Sequence, residues 1–255
     1  MWGNHRATHS IPASSNLGIT IVRSLAIGIA AAFLFGCSRA SSPPPSPSPP
    51  RTIEAERESG GAALLAEARR ELAAMRQSNY SHKTRVDEAS GTFEYDCSGF
   101  LDYAIERVAT HAYEAVRAAR SSRPLAAAYE RLLESPPPAS GWRSLSRVDG
   151  LRSGDVIAWV KPEGIESRDT GHVMIAASTP LARAGQPGEY EVVVIDSAAS
   201  GHGNGDTRTA TGNSGLGTGT IVLRVNEAGA PIGYRWSTLG VSKLYETPIA
   251  LGRLE

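Results

Sequence analysis

The stretch Tyr95-Asp96-Cys97-Ser98-Gly99-Phe100 sets a cysteine where an extended run gives way to an apolar helical one. A thiol at the start of a helix faces unbonded N–H groups and the positive end of the helix dipole, and both favour the thiolate. Such sites bring a thiol from about 8.5 into the range of roughly 3.5–7.5. The Cys97 N–H opens into the same space as the sulfur and suits the oxyanion of an acyl-transfer intermediate. That chemistry needs a base within hydrogen-bond reach, whatever its distance along the chain. His172, which opens the run Val173-Met174-Ile175, offers one. The alternatives are a buried, inert Cys97 and a His172 that ends a strand and bonds to backbone.

Other polar groups invite weaker readings. Ser200-Gly201-His202-Gly203-Asn204-Gly205-Asp206-Thr207-Arg208 is a Gly-rich polar loop. Arg208 suits a bidentate clamp on a substrate carboxylate; equally, the loop is solvated and Arg208 simply contacts Asp206. His202 and Asp206 have no third ligand at a zinc spacing, so no metal is expected. Tyr80, His82 and Lys83 precede the cysteine motif and are candidates to line a cleft beside it, Tyr80 as a substrate contact; a helix-exit loop would read the same way. His111 is assigned to a solvated helix or loop.

Several elements must position these groups. Helical spacing over Ala62 to Arg76 puts Leu64, Leu65, Ala68, Leu72 and Met75 on one stripe. Thr92 to Tyr95 reads as extended, and Ser98 to about Ala109 as a helix. A further helix spans Leu125 to Glu134, after Pro124, and ends before Pro136-Pro137-Pro138. Asp155 to Val160, His172 to Ala177, Tyr190 to Ile195, Gly219 to Val225 and Ile232 to Trp236 are β-rich. The last two form a hairpin across Asn226-Glu227-Ala228-Gly229. Helices first and strands later predict one α+β domain over residues 61–255, with an antiparallel sheet of about five or six strands.

The 255 residues hold 26 Lys plus Arg against 26 Asp plus Glu, a net charge of zero. Without a basic stripe, no nucleic-acid partner is expected. Two cysteines exclude a disulfide scaffold. Residues 1–36 carry Arg6 and Arg23, no acidic residue and a compact apolar run, Leu25 to Gly36. That order reads as an export signal, and the run is well short of the roughly 20 residues that span a bilayer. Leu34-Phe35-Gly36-Cys37 resembles the lipobox of bacterial lipoproteins. The resemblance implies that Cys37 is acylated and anchors the mature chain to a membrane. With Ser38 next, that would be the periplasmic face of the outer membrane where the host has two. An ordinary signal peptide or an uncleaved anchor helix are the alternatives. Residues 37–60, rich in Pro and Ser, read as a polyproline linker of about 3.1 Å per residue. With Cys37 acylated, Cys97 is the single thiol of the mature chain.

Asp96-Cys97-Ser98-Gly99-Phe100 before an apolar helix resembles the NlpC-type cell-wall cysteine peptidases, relatives of papain. Leu151-Arg152-Ser153-Gly154-Asp155-Val156-Ile157 is similar to that family's entry into its first sheet strand. Gly171-His172-Val173-Met174-Ile175 is similar to the strand that carries its catalytic histidine. The likeness covers roughly Thr92 to Ser197. It implies a papain-like core with Cys97 as nucleophile and His172 as base. The family's third residue lies on the next strand and is often His, Asn or Gln; here Asp196 takes that place after Val192-Val193-Val194-Ile195. A carboxylate there would fix the imidazole tautomer; the alternative is a turn former at a strand end. Asp96 and Ser98 are implied to help hold the substrate's free amine. The implied activity is hydrolysis of amide bonds in peptidoglycan stem peptides through a thioester, with no cofactor. The alternatives are a thiol acyltransferase or amidase on a non-wall substrate, and a non-catalytic envelope-binding lipoprotein. The loop Ser200 to Arg208 and the hairpin Gly215 to Trp236 lie outside the family pattern.

Overall fold

A computed structural model describes residues 60–118, 123–208 and 214–255 of the chain. The expected signal segment, the acylated Cys37 and the linker up to residue 59 lie outside the described residues. The architecture is α+β: helices cover one face of a large antiparallel sheet, and a small sheet feeds the first catalytic candidate.

Helix α1 (Gly60–Ala74) buries Leu64, Leu65 and Ala68, as its spacing predicts, and Glu71 with them. Three short strands follow: β1 (Gln77–Tyr80), β2 (Arg85–Asp87) and β3 (Thr92–Tyr95). β3 is central, parallel to β1 and antiparallel to β2. β3 runs straight into α2 (Cys97–Val108), so the small sheet delivers Cys97 to the start of a helix. Asp96 is the N-cap and its carboxylate accepts the Gly99 N–H, which satisfies one of the helix's unpaired donors. α3 (Thr110–Arg117) and α4 (Ala126–Glu134) complete the helical layer, and His111 is exposed on α3.

The large sheet is wider than the five or six strands expected: nine are found among the described residues. The expected strands are β5 (Val156–Val160), β6 (Gly171–Ala176), β8 (Glu189–Ala198), β9 (Gly215–Val225) and β10 (Pro231–Arg235). The others are β4 (Trp142–Leu145), β7 (Leu181–Ala182), β11 (Leu244–Glu246) and β12 (Ile249–Leu254). The order is β11-β10-β9-β8-β6-β5-β12-β4, with β7 on β8. The final strand, β12, thus inserts between β5 and β4 and pairs antiparallel with both.

Alternation along the strands builds two cores. Val156, Ala158, Val173, Ile175 and Ile195 face the helices, against Phe100, Leu101, Ile105, Tyr129 and Leu133. Ile157, Trp159, Met174, Val192, Val194, Ile221 and Leu223 face the other way, with Tyr234, Ile249 and Leu251. Fully burying a side chain of this size contributes roughly 1.5–3 kcal/mol, so both faces hold the sheet in register. Hydroxyls tie the small sheet to the large one. Ser197 Oγ donates to Tyr95 O at 2.6 Å, and Ser78 Oγ takes the Leu216 N–H at 2.8 Å while donating to Phe93 O at 2.7 Å. These bonds hold β3, the strand that leads into Cys97.

Candidate active site

Cys97 is a free thiol at the first turn of α2, on the wall of a narrow cleft of about 40 Å³. His82, Asp96, Ser98, Asp169 and Gly171 share that wall. The sulfur faces the backbone of β6, where the Val173 N–H favours the thiolate. Pairing explains why that donor is free: β6 meets β8 only at Ile175 and Ala176, so its first residues have left that neighbour. His172 is therefore the residue adjacent to the one that faces the sulfur.

The His172 imidazole is locked from behind. Its Nε2 lies 2.6 Å from Asp196 Oδ2, and a carboxylate can only accept, so Nε2 carries the proton. Nδ1 is then the basic nitrogen and has no hydrogen-bond partner among the described residues. Trp236 stands edge-on to the ring at 5.0 Å and Trp159 lies at 5.5 Å. The ring borders a second cleft of about 140 Å³, lined by Trp159, Lys161, Tyr234 and Trp236. Asp169 and Gly171 line both clefts, so the clefts adjoin there. No thiol–imidazole hydrogen bond is among the described contacts. The sulfur belongs to the helix-facing core and the ring to the opposite, tryptophan-lined face. Gly171 makes the edge of β6 possible. Its φ is +153°, and a Cβ there would sit 1.9 Å from Trp159 O.

The thiol differs from the ionised group that a helix start suggests. Burial pushes the Cys97 thiol up, and the charge of Asp96 pushes the same way, against the one Val173 N–H bond. Magnitudes decide the conflict: a helix terminus contributes about 0.3–1 kcal/mol, up to about 2, whereas full burial moves a group by as much as 3–5 pH units. The expected lowering is overturned by desolvation.

Asp96 and Ser98 are already occupied. Asp96 Oδ1 accepts from Gly99 N–H at 2.8 Å, Ser98 Oγ at 3.1 Å and Arg123 Nη1 at 3.0 Å. Asp96 Oδ2 takes Arg123 Nη2 at 2.8 Å and lies 3.2 Å from His82 Nδ1. Burial raises the Asp96 carboxyl, but Arg123 and the Gly99 N–H outweigh it and hold the group below the usual range. The place implied for a substrate amine is thus filled by the chain's own guanidinium. Tyr80 lines neither cleft; its hydroxyl donates to Asp169 Oδ1 at 2.9 Å and so holds a residue that lines both. Lys83 is exposed and lines neither cleft.

Arg208 makes the expected contact with Asp206, but buried and not in a solvated loop. It is 2% exposed, and its Nη2 lies 2.9 Å from Asp196 Oδ1 and 2.8 Å from Asp206 Oδ2. It is neither a substrate clamp nor a solvated loop residue. His202 is likewise buried, with Nε2 at 3.0 Å from Asp196 Oδ2. Burial raises the Asp196 carboxyl, but His202, Arg208 and His172 together hold it well below the usual carboxylate range. Among the described residues no group of three or more His, Cys, Asp or Glu side chains is placed to hold a metal.

Arg123, His202, Asp169 and Trp236 carry this site and were not singled out as site residues by sequence. A signal existed for one of them: a loop with His, Asp and Arg directly after a strand that ends in Asp196. The chain matches no protein-family model, no curated protein and no solved structure.

Proposed function

We propose that the chain is a thiol-dependent amide hydrolase of the bacterial cell envelope, with a papain-like Cys97–His172–Asp196 site. One observation carries the reading. Cys97 lines a cleft at the edge of β6, and His172, the residue before Val173, has its Nε2 fixed by a carboxylate at 2.6 Å and its Nδ1 without a partner among the described residues. Thiol–imidazole bonds are often long in an empty site and tighten around substrate.

The steps follow from these groups. His172 Nδ1 takes the thiol proton as the sulfur attacks the amide carbonyl. The carbonyl oxygen becomes an oxyanion, met by the Cys97 N–H at the helix start; one such donor is worth roughly 2.7–4 kcal/mol. The imidazolium then returns its proton to the leaving nitrogen as the C–N bond breaks, which leaves a thioester. Water gives a proton to Nδ1, attacks the thioester and releases the acid as the C–S bond breaks. The resulting thiolate takes the proton back from the ring.

The substrate class rests on the likeness of Asp96-Cys97-Ser98-Gly99-Phe100 to the NlpC-type peptidases, which points to peptidoglycan stem peptides. An acyl anchor on Cys37 would hold the domain at a bacterial membrane, within reach of the wall. A second reading has a specific observation in its favour. Arg123 covers Asp96 and Ser98 with bonds of 2.8–3.0 Å, so a substrate without a free amine, such as a non-wall amide, fits this site better. Digestion of purified sacculi separates the readings. New amines released by the wild type and absent with Cys97→Ser support the wall peptidase. Unchanged sacculi, with turnover of blocked small amides, would support the second reading.

A further inference from the structure

Behind His172 lies a buried charge cluster that the steps above do not use. Asp196 Oδ2 receives two histidines: His172 Nε2 at 2.6 Å and His202 Nε2 at 3.0 Å. The two nitrogens can be no farther apart than those distances laid end to end. His202 Nδ1 faces a second acceptor, the Trp236 carbonyl, at 3.0 Å. Neither a carbonyl nor an ionised carboxylate can donate, so both ring nitrogens of His202 must carry protons. Arg208 forms ion pairs with Asp196 and Asp206, and Asp206 Oδ2 also accepts the backbone N–H of His202 at 2.9 Å. The sequence makes room for this cluster. A Cβ on Gly219 would lie 2.3 Å from Asp206 Oδ2 and 2.7 Å from His202 Cδ2, and one on Gly217 would lie 2.7 Å from Arg208 Nε. Trp236 caps it, with its ring centre 4.2 Å from that of His202.

From these contacts we infer that His202 is a doubly protonated positioning residue: with Arg208 it balances the charges of Asp196 and Asp206, so the carboxylate behind His172 does not by itself draw a proton onto that ring. Two carboxylates meet one guanidinium and one imidazolium, and the cluster is neutral before His172 takes a proton. In a site where the carboxylate stands alone, its charge favours the imidazolium. Here that charge is already spent on His202 and Arg208. The proton moves only as the carbonyl is attacked, not beforehand.

The other charged or titratable groups around the thiol do not reverse this. Asp96 is paired with Arg123 and lies near His82, and Asp169 is bonded by Tyr80, with His82 Nε2 at 3.7 Å. Asp96, Asp169 and Asp196 all push the thiol toward its neutral form.

The inference rests on the hydrolase reading for its purpose, but its test needs no turnover. The pH midpoint of the His172 ring is followed by nitrogen NMR in the full chain and in His202→Gln. Glutamine keeps a neutral donor toward Asp196 and removes the charge. A like charge nearby disfavours the charged form of its neighbour. His202→Gln should therefore raise the His172 midpoint by about one pH unit. An unchanged or lowered midpoint would overturn the inference. Nitrogen NMR of histidine-labelled wild type decides the matter even if the variant does not fold. Two protonated, slowly exchanging ring nitrogens on His202 support it, and one bare nitrogen refutes it. If sacculi and amides are left untouched while these signatures appear, the hydrolase reading fails and the charge cluster stands.

Discussion

Replacing Glu71 with Gln should flatten the dependence of stability on pH. Glu71 is fully buried on α1, and Tyr95 Oη donates to its Oε2 at 2.6 Å, two residues before Cys97. Burial pushes its carboxyl up to about 8, with the Tyr95 bond opposing. The group is therefore protonated when folded and ionised when unfolded between about pH 4.5 and 8. Its stabilising share is fully present below about pH 4.5 and is lost as pH rises through about 8. Linkage sets the slope at about 1.4 kcal/mol per pH unit, so roughly 5 kcal/mol is lost across the window. Asp102 behaves alike: burial raises it to about 7, against a 2.6 Å bond from Tyr129 Oη. Carboxyls held low, such as Asp96, Glu67 and Glu189, act on the acid side of this range. Urea unfolding from pH 5 to 7 should then show a steeper slope for the wild type than for Glu71→Gln, in which the raised carboxyls of Asp102 and Glu130 remain. The amide keeps a partner for Tyr95, so the variant should still fold. Parallel curves for the two proteins would refute the reasoning.

Two more substitutions probe the frame of the site. Gly171→Ala forces a Cβ against Trp159 O at 1.9 Å and a φ of +153° on alanine, so it should cost several kcal/mol in thermal or urea unfolding. Full stability in that variant would show that the edge of β6 is not fixed there. Arg208→Met strips a buried partner from both Asp196 and Asp206 and should cost about 3–5 kcal/mol, read by the same denaturation. A variant with unchanged stability and weakened substrate binding would restore the clamp reading.

The elements nearest the thiol were legible because their apolar periods are strong. α2 and α4 start within a residue of expectation, and β5, β6 and β8 follow their Val/Ile-rich runs. β9 begins at Gly215, not Gly219, because glycines that make room for His202 and Arg208 look like loop in sequence. α3 went unread because Thr110, His111 and Glu114 dilute its apolar stripe, and β12 because Gly252 and Arg253 break the alternation of a short terminal run. Within the site, the placement of Asp196 behind His172 follows from two neighbouring strands, which the β-runs suggested. The burial that raises the Cys97 thiol was not legible, since it depends on how α2 packs against β6. Nor was the role of Arg123, which comes from a separate loop to fill the Asp96 carboxylate.

Trapping the acyl-enzyme tests the central claim most directly. The full chain is mixed with a stem-peptide amide, quenched in acid and weighed by intact mass spectrometry, then mapped by peptide. A single acyl adduct on Cys97, absent in His172→Ala and cleared by water on longer incubation, is the predicted result. A chain that gains no mass while free amine is released, or that is acylated elsewhere, would contradict it.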